Sequence, residues 1–260
     1  MTPEIEIKYS FSQTSDIEKP LLILQNYFLK KLQEQGVDKA GKRSDPTLKA
    51  RFYTYYDTPN HDILYNNATL RQIFGIGNNF AKPFRIQYKE GSMRDREESD
   101  GINVQNRLTP DDVVQELDEH DKANNISHSK LELAQRYQGV TAVLYAHSVH
   151  LKWSLKSVLG PSVAKKTEAK LDLFYVNDTP HSFLELELEM KPSKENPVSH
   201  EKGRSILADF IYPVVTELGL VECGVQKYTH SAYLKGIPEM VARIPEEARL
   251  ELDALYRKCS

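Results

Sequence analysis

Glutamates alternate with apolar residues in two separate segments of the chain, Glu4–Lys8 (EIEIK) and Leu184–Met190 (LELELEM). If each segment is a β-strand, all its glutamates project from one face, with neighbouring glutamates roughly 7 Å apart. Such a pair repels by about 2 kcal/mol at an effective dielectric constant of about 20. A divalent cation removes this repulsion, because Mg²⁺ and Mn²⁺ bind carboxylate oxygens and complete their shells with water and phosphate. The two segments therefore predict a metal site, and the alternative is a solvated sheet face with weak glutamate–lysine pairs.

Basic residues follow the same period-two pattern. Lys8 shares its predicted face with Glu4 and Glu6, and Arg71 and Lys89 fall in two further predicted strands. Strands that alternate apolar and charged residues, with both signs present, suit the polar interior of a barrel as well as an open sheet. An enclosed mixture of carboxylates and cations is costly unless it is occupied, and a metal ion together with a polyphosphate would neutralise both signs.

Hydrophobic periodicity divides the chain into strands of period two and helices of period 3.6. The predicted strands are 4–9, 51–56, 69–74, 84–90, 149–155, 170–176 and 183–190, and the predicted helices are 16–35, a region that opens at Thr109, 199–218 and 238–256. Leucine and glutamate both favour a helix in 184–190, but only a strand separates every leucine from every glutamate, so we predict a strand. Trp153 lies on the apolar face of the strand 149–155 and is predicted to be a core residue. These elements predict an α+β fold.

The composition is that of a soluble globular chain of 260 residues, with a formal net charge of -3 and a mean hydropathy of -0.54. No apolar run approaches the roughly 20 residues of a membrane span, and no secretory signal is recognisable, so we expect no membrane partner and a cytoplasmic location. The absence of a basic excess argues against a nucleic-acid partner. Cys223 and Cys259 lack metal-ligand spacing and predict neither a disulfide framework nor a thiolate zinc site.

A series of short motifs runs in order along residues 4 to 233. The motifs are Glu4–Lys8 (EIEIK), Tyr55–Pro59 (YYDTP), Thr69–Arg71 (TLR), Gln87–Lys89 (QYK), Arg96–Glu98 (REE), Lys152–Trp153 (KW), Leu171–Asp172 (LD), Glu185–Glu187 (ELE), Lys227–Tyr228 (KY) and Ala232–Tyr233 (AY). Their order resembles that of the CYTH superfamily, the triphosphate tunnel metalloenzymes. This superfamily includes inorganic triphosphatases, thiamine triphosphatases and class IV adenylate cyclases.

The resemblance implies an eight-stranded antiparallel β-barrel, or tunnel, with flanking α-helices. It implies a tunnel domain over 1–236, and we expect a C-terminal helical extension over 237–260 to pack on it. One or two Mg²⁺ or Mn²⁺ ions would be bound by Glu4, Glu6, Asp172, Glu185 and Glu187. Phosphate oxygens would be held by Lys8, Arg71, Lys89, Arg96, Lys152 and Lys227, with Glu98 orienting them or the attacking water. The catalytic group would comprise Glu4, Glu6, Lys8, Arg71, Lys89 and Glu98.

The activity implied by the resemblance is in-line attack of water on a terminal phosphorus of a triphosphate, helped by metal and cationic charge. We rank inorganic tripolyphosphate first, because the expected ligands specify phosphates and metal, and nothing in the sequence specifies an organic head group. Thiamine triphosphatase and class IV adenylate cyclase are the enzymatic alternatives. Ala68 stands where an aromatic residue that stacks on thiamine would be expected. The sequence leaves the metal preference and the formation of a homodimer open.

Three positions depart from the family pattern. Ile73 replaces the second arginine of L-R-x-R, His150 replaces a strand arginine, and Gln226 replaces a serine beside Lys227. A module that binds polyphosphate or nucleotide without turnover is therefore the alternative from a different functional class. The cations that could compensate, if their side chains reach the tunnel, are Arg85, Arg94 and Lys152.

Overall fold

The structure is a computed structural model that describes residues 5–11, 17–34, 46–76, 84–91, 97–98, 102–124, 132–155, 158–160, 163–192 and 198–257. Its helices are α1 (Glu18–Glu34), α2 (Asp62–Tyr65), α3 (Pro110–Ala123), α4 (Leu133–Arg136), α5 (His200–Leu218), α6 (Lys227–Lys235), α7 (Pro238–Val241) and α8 (Glu246–Arg257). Its strands are β1 (Ile5–Ser10), β2 (Thr47–Asp57), β3 (Ala68–Ile76), β4 (Phe84–Glu90), β5 (Glu97–Glu98), β6 (Ile102–Val104), β7 (Thr141–Ser154), β8 (Ala164–Val176), β9 (Ser182–Pro192) and β10 (Val221–Glu222).

In the described part of the chain, ten strands form one antiparallel sheet in the order β10-β1-β9-β8-β7-β2-β3-β4-β5, with β6 beside β4. The sheet and the helices confirm the α+β class. The closed eight-stranded barrel is not confirmed, because no ladder within these residues joins the β10 end of the sheet to the β5 end. Seven of the ten strands correspond to the seven strand segments predicted from periodicity, and the other three are β5, β6 and β10. These are two or three residues long, too short for an alternating pattern to reveal them.

Strand β9 settles the conflict between helix propensity and alternation in LELELEM. Leu184, Leu186 and Leu188 are all buried on the apolar face of this strand. A strand buries the three leucines together, whereas a helix would distribute them around its axis. Burial of one continuous face therefore outweighs the intrinsic preference of leucine and glutamate for a helix, and the predicted strand is confirmed.

The C-terminal helices differ from the prediction in two ways. The segment around Lys227, for which no helix was predicted, is α6, and the predicted helix 238–256 is divided into α7 and α8. Pro245 lies in the break, where it lacks an N–H group and disfavours a helical conformation at Ile244. Leu252 and Leu255 of α8 are buried in the core cluster that also contains residues of α6. The division into a tunnel domain and a C-terminal extension stays a prediction.

The outer face of the sheet is apolar and is covered by α1 and α5. Trp153 on β7 is 1% exposed, and its ring centroid lies 5.3 Å from that of Phe28 on α1. Gly203 allows α5 to approach β1 closely, because a Cβ atom at this position would lie 2.3 Å from Cδ1 of Ile5. None of the described helices is long and apolar enough to cross a bilayer.

A buried carboxylate at the end of β2 organises two helices. Asp57 is fully buried and accepts the backbone N–H groups of Ile63 and Leu64 at 2.9 and 3.1 Å. It also accepts the hydroxyl of Tyr228 at 2.8 Å. The first two bonds hold α2, and the third ties the first turn of α6 to the end of β2. Asp57 therefore also fixes the backbone position from which the side chain of Lys227 extends.

We expect Trp153→Ala to lower the free energy of unfolding by about 3–5 kcal/mol, the usual cost of truncating a buried aromatic side chain. Urea unfolding followed by circular dichroism measures the change. The control is Tyr212→Ala, because Tyr212 is 66% exposed and its loss should change the stability by no more than about 0.5 kcal/mol. Equal stability of the two variants would show that Trp153 is not a core residue.

Candidate functional site

Alternate side chains of seven strands and the first turn of α6 line one cavity of about 340 Å³. The lining follows period two along each strand, as Arg85, Gln87 and Lys89 show on β4. Residues that are distant in sequence therefore converge on one space, as the alternation predicted. The residues predicted for the site that line this cavity are Glu6, Lys8, Arg71, Lys89, Lys152, Asp172, Glu187 and Lys227.

Among the described residues, ten basic and five acidic side chains line the cavity, although the whole chain has a net charge of -3. All five acids lie on β1, β8 and β9, whereas β2, β3 and β4 contribute basic side chains and no acid. One wall is thus mixed in charge and the other is basic. The acids are Glu6, Glu168, Asp172, Glu187 and Glu189, and the basic residues are Lys8, Arg51, Arg71, Arg85, Lys89, Lys152, Lys166, Lys170, Lys191 and Lys227.

Strand register decides which charges meet on the mixed wall. Glu6 on β1 lies opposite Glu189 on β9, so two acids are direct cross-strand neighbours. Two residues along, Glu187 lies between Lys8 on β1 and Lys170 on β8. This arrangement places lysines beside the acidic pair, which lowers the electrostatic cost of enclosing it.

Three carboxylates on this wall form what we call the carboxylate triad: Glu6, Glu187 and Glu189. One oxygen atom of each lies within 4.8 Å of the others. The Nζ atom of Lys8 lies 3.1 Å from Glu6 Oε1 and 3.7 Å from Glu187 Oε2. The Nζ atom of Lys170 donates to Glu187 Oε1 at 2.7 Å and also contacts Glu189. The triad includes Glu189, which the sequence analysis did not select as a ligand.

The charges of the triad are strongly linked. Burial raises the pKa of Glu189 to about 8, and the nearby carboxylate of Glu187 adds to this effect. Burial acts in the same direction on Glu187, but Lys170 and Lys8 hold the pKa of Glu187 well below its ordinary value. Of the two carboxyl groups, Glu189 therefore keeps its proton to the higher pH. A divalent cation would replace that proton.

Asp172 and Glu185, both predicted metal ligands, lie around a lysine and not in the triad. Lys227 Nζ contacts Asp172 and lies 3.6 Å from Glu185 Oε2. Burial would raise the pKa of Asp172, but Lys227 lowers it below its ordinary value. Glu185 is fully buried and is not part of the cavity lining, and its Oε1 atom lies 3.7 Å from Nδ1 of His230. Two of the five predicted metal ligands are therefore placed as partners of a cation from the protein itself.

The basic wall presents Arg51, Arg71, Arg85 and Lys89 to the cavity. Arg71 donates from Nη2 and Nε to Oε1 of Gln87, its neighbour across the ladder, at 2.6 and 3.2 Å. Arg51 has no ion pair with a described residue. A positioned guanidinium without a carboxylate partner is suited to a phosphate oxygen.

The three departures from the family pattern have different consequences. Ile73 and His150 both line the cavity, so neither position provides the permanent positive charge of an arginine. Gln226 is the residue immediately before α6, and its Nε2 atom donates to the backbone oxygens of Asn67 and Gly91 at 2.7 and 2.9 Å. It therefore joins α6 to the segments that precede β3 and follow β4.

Some predicted residues cannot be compared with the structure. Glu4, Arg94 and Arg96 lie outside the described residues. For Glu98 the backbone is described, and it pairs with Lys89 in the ladder between β5 and β4. The roles of these residues stay predictions.

Several charged residues of the cavity were missed by motif comparison: Arg51, Lys166, Glu168, Lys170, Glu189 and Lys191. A usable signal was present for two of them. Glu189 continues the alternation of Glu185 and Glu187, and Lys170 lies two residues before Asp172. Extending each motif by two residues along its strand would have found both.

No protein-family model and no curated protein matches the chain. Among solved structures, a proposed adenylyl cyclase from Hippeastrum, HpAC1, described as having a dominant triphosphatase activity, is similar with a TM-score of 0.50 and 13% identity. The similarity covers 91% of this chain and 99% of HpAC1. This chain has a CYTH-type fold.

Two further solved structures are similar to this chain at lower scores. The PH1819 protein from Pyrococcus horikoshii OT3 has a TM-score of 0.44 and 16% identity, covering 87% of this chain and 96% of its own. A proposed adenylate cyclase from Bacillus halodurans, bh2851, has a TM-score of 0.42 and 10% identity, covering 88% and 98%. At identities this low, the activity depends on the geometry and charge of the site itself.

We expect His150 to make the stability pH-dependent. Burial, with the nearby charge of Arg51, lowers the pKa of His150 to about 4, so the unfolded chain takes up this proton first as the pH falls. The contribution of neutral, buried His150 to the free energy of unfolding should thus fall by about 2 kcal/mol from pH 7 to pH 5. Below about pH 4 this contribution should stop changing. Urea unfolding at both pH values should show a smaller loss in His150→Gln than in wild type.

The control for this measurement is His181→Gln. Because His181 is exposed, this substitution should leave the pH dependence of the stability as in wild type. The same pH dependence in wild type and His150→Gln would contradict the assignment to His150.

Proposed function

We propose that this protein hydrolyses a triphosphate in a reaction that depends on Mg²⁺ or Mn²⁺, with inorganic tripolyphosphate as the first candidate substrate. The observation that carries the proposal is the division of one cavity into a wall with the carboxylate triad and a wall with Arg51, Arg71, Arg85 and Lys89. A metal ion and an oligophosphate bring the opposite charges that these two walls require.

The triad fits a hard divalent cation. Its three carboxylates can each direct an oxygen to one point, and such oxygens are the ligands that Mg²⁺ and Mn²⁺ prefer. A cation bound there would supply Lewis-acid charge to the phosphate oxygens. We retain Glu4 as a proposed further ligand on the basis of its motif. Asp172 and Glu185 are better explained as partners of Lys227.

The excess of basic over acidic side chains fits tripolyphosphate, which carries about four to five negative charges at neutral pH. Arg71 is already oriented by Gln87, so little side-chain freedom is lost when it binds a phosphate oxygen. Lys227 begins α6, and the free N–H groups of a helix N-terminus also favour an anion. The phosphate chain is therefore proposed to lie between the basic wall and this helix start.

Hydrolysis at such a site requires positioning and charge, without a covalent nucleophile. The basic side chains stabilise negative charge as it moves onto the oxygens of the transferred phosphoryl group and the leaving phosphate. Enclosure of the cavity strengthens these interactions, because fewer water molecules screen them. Glu98 keeps its proposed role of orienting phosphate or the attacking water.

The lining supports an inorganic substrate over one with an organic head group. Two aromatic residues, Tyr53 and Tyr228, line the described cavity. The hydroxyl of Tyr228 is bonded to Asp57, and both rings stack on Tyr55, with centroids 6.0 Å away for Tyr53 and 5.0 Å away for Tyr228. Rings already packed by protein offer little surface to a thiazole or an adenine.

Other cations line the cavity and can replace the two arginines that were expected at positions 73 and 150. Their presence favours an enzyme over a module that only binds its ligand. Arg51 and Arg85 line the cavity together with Ile73 and His150, the two positions at which an arginine was expected. The solved structure of HpAC1, which shares the fold, is described as having a dominant triphosphatase activity. That description agrees with the reaction class proposed here.

We expect metal-dependent phosphate release to be fastest with tripolyphosphate and at least about tenfold slower with ATP and thiamine triphosphate, because the cavity recognises phosphate and metal. Parallel assays with and without Mg²⁺ or Mn²⁺ measure the rates. Cyclic AMP as the main product from ATP would favour the cyclase instead. Tight tripolyphosphate binding without any turnover would favour a binding module.

We expect Glu189→Gln to reduce the metal-dependent rate by roughly 10²- to 10³-fold, the scale of losing one preorganised electrostatic group. Because burial favours the neutral form of the Glu189 carboxyl, a neutral amide of the same shape should leave the thermal unfolding temperature almost unchanged. Glu201→Gln, on the exposed side of α5, is the matched control and should retain the wild-type rate. A fully active Glu189→Gln enzyme would remove the triad from the reaction.

A further inference from the structure

Two lysine ammonium groups already occupy the space between the carboxylates of the triad. Lys170 Nζ bridges Glu187 and Glu189, and Lys8 Nζ bridges Glu6 and Glu187. All five side chains lie within strands whose register makes them direct or diagonal neighbours. The lysines therefore contact the same three carboxylates that a divalent cation would use.

A metal ion and both lysines cannot keep these contacts together. Binding a cation requires oxygens of Glu6, Glu187 and Glu189 to point at one centre, and an ammonium group next to that centre repels it. Lysine has a flexible four-carbon chain and a single compact charge, so it can change partner by rotation without moving the strand. The cavity provides the new partner if phosphate is present, because Lys8 and Lys170 both line it.

We propose that Lys170, assisted by Lys8, is an exchangeable counter-ion of the triad. In the metal-free protein its ammonium group lies between Glu187 and Glu189, and on metal binding it would turn from these groups to the phosphate chain. This inference rests on the proposed function and adds to it a reason why metal and phosphate bind together. Lysines that no longer contact the carboxylates would attract phosphate, and bound phosphate would prevent their return to the carboxylates.

The position of Lys170 distinguishes it from the other lysines of the same strand face. Lys166, four residues earlier on β8, also lines the cavity, but its Nζ atom pairs with Glu168 Oε2 at 2.9 Å. Glu168 is not a member of the triad. The two lysines thus share strand, face and chemistry, and differ in whether their carboxylate partners are proposed to bind the metal.

The test is the affinity for Mn²⁺ alone, measured by electron paramagnetic resonance or calorimetry in phosphate-free buffer. Lys170→Met removes the charge and keeps most of the side-chain length, so we expect Mn²⁺ to bind at least about tenfold more tightly than to wild type. Lys166→Met should stay within about threefold of wild type. Unchanged or weaker Mn²⁺ binding in Lys170→Met would overturn the inference.

The proposed function fails in a different way. If Mn²⁺ binds equally to wild type and Glu189→Gln, the triad is not the metal site and the proposed function loses its basis. If Glu189→Gln weakens Mn²⁺ binding and Lys170→Met does not strengthen it, the metal site stands and only the counter-ion role is wrong.

A second measurement does not depend on the folding of Lys170→Met. Nitrogen-15 NMR of the lysine ammonium groups in the wild-type protein should show the Lys170 signal shifting when Mg²⁺ is added without phosphate. Lys170→Arg removes that signal and identifies it. A Lys170 signal that stays in place at saturating Mg²⁺ would contradict the exchange.

Discussion

Buried charges of one sign repel each other strongly. The arrangement of side chains in this cavity therefore depends on which cations neutralise its acids. Each of the five acids that line it has a lysine ammonium group within ion-pair distance. Arg51 and Arg71, by contrast, have no carboxylate partner among the described residues. Lysines therefore balance the protein's own acids, whereas Arg51 and Arg71 on the other wall are not balanced by a described carboxylate.

The framework that holds these charges is built from the opposite face of the same strands. Burial of Trp153 and the leucines of β9 under α1 and α5 determines which face turns inward, because a shift by one residue would exchange the two faces. Asp57 adds the second constraint, since its bond to Tyr228 holds the start of α6 and with it Lys227. The chemistry of the interior thus depends on apolar packing outside the cavity.

Alternation was a reliable guide wherever a strand was long and one of its faces was apolar. It predicted β9 against helix propensity, and it placed Glu6, Lys8 and Glu187 on the inward face. Motif comparison could not identify the partners of these side chains. Asp172 and Glu185, predicted as metal ligands, both lie near Lys227 of α6, which is distant in sequence. Motif comparison also could not detect that Lys170 on β8 lies directly opposite Glu187 on the neighbouring strand β9.

The sequence by itself determined the α+β class, the long strands and the inward or outward direction of most charged side chains, because these follow from local periodicity. Only the tertiary structure decided the sheet order, the ten strands seen among the described residues and the pairing of each acid of the cavity with its lysine. The physical reason is that cross-strand register depends on contacts between segments separated by tens to hundreds of residues. A period of two shows that Glu189 and Lys170 face inward, but not that they meet.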